Sequence, residues 1–441
     1  MTVALSARRA ALTPPWVKLP LWKAAREVPS WHIAPARTGN IVDLVAGQSL
    51  VTFTNSSPAW GFNSSGVLVQ PTANVPFIEY DPATGACLGW RIWDAVTNSI
   101  RNSIMVDAVA GTPGTLPTNW GAGLVGLARQ VVGVGTANGI DYIDIRFSGT
   151  PTSTGSIEIK PDGNASIAAT ASQSWAISSW VAVVGGSTAN ISSSRLALNE
   201  YSAGPTYLRT TTYASSILSA GSTLTRVSGV NTTGASTTIV QPLFLFGVTS
   251  GLAVDITIRI GLPQLQQSAT VGPVVKTSGL TASSTADVAS ITGAAFAGIW
   301  NQAAGTMFAD FRLNAITSQN KVLNADAGSG FANSVDLYCA SGYPRFGVLE
   351  TGIAQVALSL LPLAPLGVNV DSRIAGAYKL DDFAATRSQG TVVTDTLGII
   401  PTVTRLGIGS LNGGNFLNGY IRELAIFKSR RPNDNLQSMT Q

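Results

Sequence analysis

The run Val254-Asp255-Ile256-Thr257-Ile258-Arg259-Ile260 places an apolar residue at every even position and Asp, Thr or Arg at every odd one. A period of two is that of a strand with one buried face and one wet face. Gly261 and Pro263 then punctuate the run, and Gln264-Leu265-Gln266 follows. A long β-rich region precedes this stretch. Residues 277–284, rich in Ser, Thr and Gly, follow it, and a second β-rich region comes after them. The stretch therefore reads as the last strand of one sandwich, with residues 269–284 as the linker to another.

Composition agrees with an all-β chain. Only 11% of the 441 residues are charged, against 45% apolar, and Gly, Ser, Thr and Ala make up the difference. Short β-branched runs between such residues predict many strands and tight turns. The length exceeds that of a typical single core and predicts several domains. The formal charge of +4 is uneven. Residues 1–40 carry Arg8, Arg9, Lys18, Lys23, Arg26 and Arg37 against Glu27 alone, a net of +5, so the remainder is close to neutral. Such a balance predicts no nucleic-acid partner. Cys87 and Cys339 lie far apart and read as buried free thiols, not as a disulfide or metal pair. No apolar run of about 18 residues predicts a membrane span, and the opening residues do not read as a secretory signal.

Taken in order, residues 1–40 hold five prolines with Trp16, Trp22 and Trp31 among them. Proline at this density blocks a long helix, so the segment reads as an extended arm with at most a short helix near residues 21–27. Trp16, Trp22 and Trp31 with Arg8, Arg9, Lys18 and Lys23 form the candidate anchor to another protein, with large apolar area and charge for steering; the alternative is an arm folded back on its own domain. Residues 41–104 read as a β-rich attachment module in which Asp81-Pro82-Ala83-Thr84-Gly85 is a capped turn. Residues 105–268 read as a jelly-roll-like sandwich, with alternation at 143–147 and 157–160. Residues 285–441 read as a second sandwich, with alternation at 307–313 and a hairpin signal at Asn418-Gly419.

The runs Ser49-Leu50-Val51-Thr52-Phe53-Thr54, Asn74-Val75-Pro76-Phe77, Tyr80 to Gly85 and Thr97-Asn98 resemble, in order and spacing, the phage head spike fibre family. The likeness continues through Gln173 to Ser178 and through residues 260–267. Asn55 and Phe77 stand where arginine is common in that family. The first sandwich is also similar to carbohydrate-binding modules. The close, Leu417 to Phe427 followed by Pro432 to Gln437, resembles laminin-G/concanavalin-like domains. The resemblance implies tandem β-sandwiches after an N-terminal arm. It implies a structural surface protein of a tailed-phage virion, a head or tail fibre or spike bound to capsid, portal or tail proteins, that adheres to host glycans. A homo-oligomer is the expected state, although heptads are absent. The laminin-G likeness points to Asp326 and Asp395 as loop acids for calcium; no cofactor is expected.

Chemistry narrows the function classes. His32 is the single histidine and lies in the arm, away from either sandwich, which excludes histidine-based triads and metal sites. A glycan-cleaving enzyme needs a carboxylate pair, and Asp381-Asp382 reads as a surface turn instead. No catalytic residue is assigned. Sugar recognition needs aromatics beside amides or hydroxyls, and Trp120, Tyr201, Tyr207 and Tyr213, in stretches that read as loops, are the candidates. The rival readings are a glycan-cleaving tailspike and a purely structural capsid decoration protein.

Overall fold

The computed structural model describes residues 21–163, 166–328, 332–388 and 390–441. The protein is all-β, built as two β-sandwiches. In the first, Val254–Gln266 is the central strand of a five-stranded sheet, flanked by Ile140–Gly149 and Ser174–Gly186, with Ala128–Ala137 and Thr225–Thr232 at the edges. Val254, Ile256, Ile258 and Ile260 are buried against Phe147, Ile157, Phe244 and Phe246. The odd positions face outward and tie the strands together. Arg259 forks onto Asp144 at 2.8 and 2.9 Å, and Arg146 onto Asp255 at 2.8 and 2.7 Å. Gly261 and Pro263 do not end the strand, contrary to the expectation from turn propensity. A register shift opposite Ser178–Trp180 takes up Leu262, at φ 41°, and the ladder resumes through Gln266. The facing sheet runs Tyr207–Ser215, Ser193–Tyr201, Ile239–Val248, Gly155–Lys160 and Gly121–Gly123, with Ile167–Ala168 on Ile239–Val248.

The second sandwich corrects the expected domain order. Its larger sheet runs Val393–Asp395, Phe383–Arg387, Asp371–Lys379, Ala304–Leu313, Gly419–Phe427, Cys87–Ile92 and Ile78–Tyr80. Trp31–Ile33 also pairs with Gly419–Phe427, residue 31 against 426. The opposite sheet begins with Thr52–Thr54, beside Val288–Thr292 and Arg405–Ile408, and continues through Gln319–Asp326, Ser334–Ala340, Tyr343–Glu350 and Ile353–Ser359. Trp31–Ile33, Thr52–Thr54, Ile78–Tyr80 and Cys87–Ile92, expected within an arm and a separate module, are thus strands of the C-terminal sandwich, and the first sandwich is inserted between them and the rest of it. Burial is the reason: Trp31, Ile33, Trp90 and Ile92 are fully covered by Met307, Phe311, Val322 and Phe346, and Phe53 packs edge-on to Trp90 at 5.9 Å.

Four helices are described: α1 (Leu21–Ala25), α2 (Pro35–Thr38), α3 (Gly293–Ile299) and α4 (Asn433–Thr440). None is long and apolar enough to cross a membrane. α1 and α4 share a small core with Phe308 and Phe427 on the outside of the larger sheet. The turn at Asp81 forms as its residues predict, with Oδ1 accepting from the amides of Ala83 at 2.8 Å and Thr84 at 3.1 Å and Gly85 at φ 70°. Asn418-Gly419 is not a hairpin. Asn418 takes φ 49° at a loop end, and Gly419 then pairs with Leu313 and Ile92.

Candidate functional site

The strand Val96–Asn98 lies where the sandwiches meet, and Asn98 fixes it there. Its buried Nδ2 donates to the carbonyls of Pro263 at 3.2 Å and Val275 at 3.0 Å, while Oδ1 accepts from Ile100 and Leu265, both at 3.1 Å. All four hydrogen-bonding positions of the amide are used. The segment expected as a free linker is its partner: Ala282–Ser284 ladders onto Val96–Asn98. Thr277 is buried, donates its hydroxyl to Ile100 at 2.7 Å and accepts from Ser103. These tethers exclude a loose hinge.

A cleft of about 850 Å³ opens beside this strand, with walls from both sandwiches. One wall is the loop that follows Val254–Gln266. Gln266 shapes it, accepting from Gln264 at 2.8 Å and donating to the Thr270 carbonyl at 2.7 Å. The other wall is the 316–318 loop with Asn418, whose Oδ1 accepts from the Asp94 amide at 3.1 Å. Trp93 is held by Asp287, which accepts from the Trp93 amide at 2.9 Å and from Asn55 at 2.5 Å. Burial pushes the Asp287 carboxyl above its usual range, opposed by Arg91 and by these bonds. Asn55 thus makes a structural bond of its own at a position where the resembling family often carries arginine.

The lining is polar and almost uncharged. Thr97, Ser99, Ser268, Thr270, Thr317 and Ser318 supply hydroxyls, Gln267 and Asn418 supply amides, and Asp94 is the one ionisable side chain among the described residues of the lining. Trp93 and Trp175 form apolar parts of the wall. The buried indole N–H of Trp175 has no acceptor among the described residues. Such a surface matches a hydroxyl-rich, neutral ligand in size and in hydrogen-bonding character.

The sequence-based sugar candidates do not line this cleft. Trp120 is a core residue, donating its indole N–H to the Asn102 carbonyl at 2.8 Å. Tyr213 is 9% exposed, and burial raises its phenol far above the usual range. Both sit in strands or turns whose inward side fills the first core, so the loop reading fails for them. Tyr201 and Tyr207 do meet, edge to face at 6.0 Å, and Tyr207 is 56% exposed. The Tyr201 hydroxyl bonds Gln241 at 3.0 Å and Asn199 at 3.3 Å.

The calcium candidates separate. Asp326 is not a loop acid: it ends a central strand, fully buried, and bonds Arg405 at 2.7 Å and Asn324 at 2.8 Å. Asp395 lies on an edge strand of the opposite sheet and accepts from the Leu397 amide. No group of three or more His, Cys, Asp or Glu side chains fit to hold a metal exists among the described residues. Asp382 pairs with Arg430 at 2.9 Å beside Asp381 at φ 56°, a surface turn.

Of the anchor candidates, Trp16, Arg8, Arg9 and Lys18 lie outside the described residues. Trp31 is fully buried and therefore structural, while Trp22 is 45% exposed beneath Lys23. His32 is not remote from the sandwiches: its strand belongs to one, and Nε2 lies 2.7 Å from Glu423. Cys339 is buried, its thiol pushed up to about 12 by burial, and Cys87 is only half-buried. The cleft residues escaped the sequence reading because Ser, Thr and Gln give no periodic signal, and only the fold brings residues 93–99, 266–270 and 316–318 together.

No family model matches this chain, and no curated protein matches it. Among solved structures, the CBM40 domain of the Ruminococcus gnavus IT-sialidase bound to α2,3-sialyllactose is similar at 14% identity over 32% of this chain and 83% of that one, with a TM-score of 0.29. The tandem CBM22-1–CBM22-2 domains of Paenibacillus barcinonensis Xyn10C reach 8% identity over 74% and 100% (TM-score 0.25). Domains LG4-5 of the mouse laminin α1 chain reach 12% over 59% and 82% (TM-score 0.23). At these values the likeness is one of β-sandwich fold and carries no functional argument.

Proposed function

We propose that the protein is a non-catalytic glycan-binding protein that holds an uncharged saccharide in the cleft between its sandwiches. The carrying observation is the lining: hydroxyls and amides from both sandwiches around about 850 Å³, with Asp94 the sole ionisable side chain among the described residues. Hydrolysis of a glycosidic bond needs two cooperating carboxylates, and this cleft offers one. A second groove does hold two, Asp310 and Glu423. One oxygen of each is engaged, Asp310 Oδ2 by Arg373 at 2.8 Å and Glu423 Oε1 by His32 at 2.7 Å, which ties both carboxylates into the charge network of the sheet.

We further propose that this binding serves a surface protein of a tailed-phage virion. The sequence resemblance supports that reading; of its runs, those at residues 97–98 and 260–267 reach the cleft, through Thr97, Gln266 and Gln267. Ser318 is exposed on the cleft wall. Replacing it by Trp puts a bulky ring into the cleft from an exposed position, away from either core. On an array of neutral glycans, the S318W chain is expected to lose at least about tenfold in affinity for the bound sugar, roughly 1.4 kcal/mol, with an unchanged melting temperature. Equal binding by the variant would remove the cleft from the proposal. Absence of any glycan binding by the parent would favour the purely structural decoration protein.

A further inference from the structure

On the outside of the larger sheet of the second sandwich, α1, α2 and α4 enclose a groove of about 830 Å³. It shares no residue with the inter-sandwich cleft. Its floor is a charge network on adjacent strands, where Asp310 and Glu423 stand opposite each other. Arg373 donates to Asp310 at 2.8 Å, and Arg422 lies 3.3 Å from Asp310 and 3.2 Å from Asp371. Glu423 is taken by His32 at 2.7 Å, and Arg26 lies 3.6 Å from Asp434. The acids within reach are therefore already matched.

One cation of the lining, Lys23, has no acid partner among the described residues, and a second, Arg37, is held only at long range. The Lys23 ammonium rests 5.4 Å from the Trp22 ring centre. Arg37 is 54% exposed, and its nearest acid is Glu423 at 3.9 Å, the carboxylate that His32 already holds. The same lining includes the apolar side chains of Leu21, Ala24, Ala34, Ala36 and Met439. Cations and apolar side chains in one lining fit an anionic group carried on a body with an apolar face. The volume is too large for a bare anion and suits a small sugar.

We infer that this groove is a second ligand site, one for a carboxylate-bearing sugar of the uronic acid type, with Arg37 and Lys23 as its anion contacts. The inference is independent of the neutral-sugar cleft. Titration calorimetry with glucuronic acid, glucose and sodium sulfate tests it, run on the full chain and on the full-length S318W chain, in which the neutral-sugar cleft is obstructed, with glucose and glucuronate compared in the latter. Glucuronate should bind saturably and glucose at least about tenfold more weakly, since the two differ only at the C6 carboxylate. The K23A/R37A double variant should lose glucuronate binding by a similar factor at an unchanged melting temperature, because both side chains are exposed or half-exposed. S318W should bind glucuronate as the parent does. Equal binding of glucose and glucuronate, no glucuronate binding at all, or undiminished binding by the double variant would overturn the site. Sulfate binding as tight as glucuronate would overturn the sugar assignment, since charge alone would then be read.

Discussion

Glu200 shows how one side chain can hold a loop of this protein. It is fully buried at the end of Ser193–Tyr201 and accepts from the Gly234 amide at 2.7 Å, Thr237 at 2.5 Å, Arg209 at 2.9 Å and Thr211. Burial raises its carboxyl, but the four hydrogen bonds together outweigh burial, and the net shift is downward. A carboxyl lower in the folded state than in the unfolded chain contributes stability above its unfolded value near about 4.3. That contribution fades as pH falls through the folded value. Glu200→Gln places an NH₂ against donors and should cost about 1–3 kcal/mol at neutral pH. It should also flatten the fall of melting temperature below about pH 5. Thermal melts from pH 3 to 7 check both; an unchanged acid slope in the variant would assign that slope elsewhere. Nothing local in Leu198-Asn199-Glu200-Tyr201 announced this role, because all the partners but Arg209 and Thr211 lie more than thirty positions away.

At the level of elements, periodicity was informative and pairing was not. Alternation located Val254–Gln266, Ile140–Gly149, Gly155–Lys160 and Ala304–Leu313, since a two-residue period is a local property of strands against a core. Trp31-His32-Ile33 is too short for any period, and prolines at 29 and 35 flank it. Its strand character comes from the edge of Gly419–Phe427 and from burial of Trp31. That difference makes a discriminating prediction. Trp31→Ala should destabilise the protein by about 3–5 kcal/mol, the cost of emptying a large buried site. Trp22→Ala, at a 45% exposed position, should stay within about 0.5 kcal/mol. Denaturant melts of both variants decide it. Comparable small effects would restore Trp31 to a detachable arm. Trp120 and Tyr213 teach the same lesson in reverse: polar neighbours suggested loops, while the tertiary fold turned both rings inward.

At the scale of the whole molecule, the chain order decides which pieces can fold alone. The first sandwich closes on itself: Ala128–Ala137 through Val254–Gln266 supply both of its sheets apart from the short edge strand Gly121–Gly123. The second needs Trp31–Ile33, Thr52–Thr54, Ile78–Tyr80 and Cys87–Ile92, which precede the first sandwich by sequence. Residues 99–276 expressed alone should therefore fold cooperatively. Residues 285–441 alone should not, because they would expose Met307, Phe311 and Ile421 where Trp31 and Trp90 belong, and would leave sheet edges open to aggregation. Cleavage at Leu280, 77% exposed between anchored ends, should nick the native protein without separating its sandwiches, since residues 21–280 carry strands of both. Gel filtration after limited chymotrypsin digestion, and circular dichroism of the two fragments, measure these outcomes. Soluble, cooperatively melting 285–441 would show that the strands at 31–92 only decorate a complete sandwich. The nicked halves parting on the column would show that the ladder between Val96–Asn98 and Ala282–Ser284 does not hold the junction on which the cleft depends.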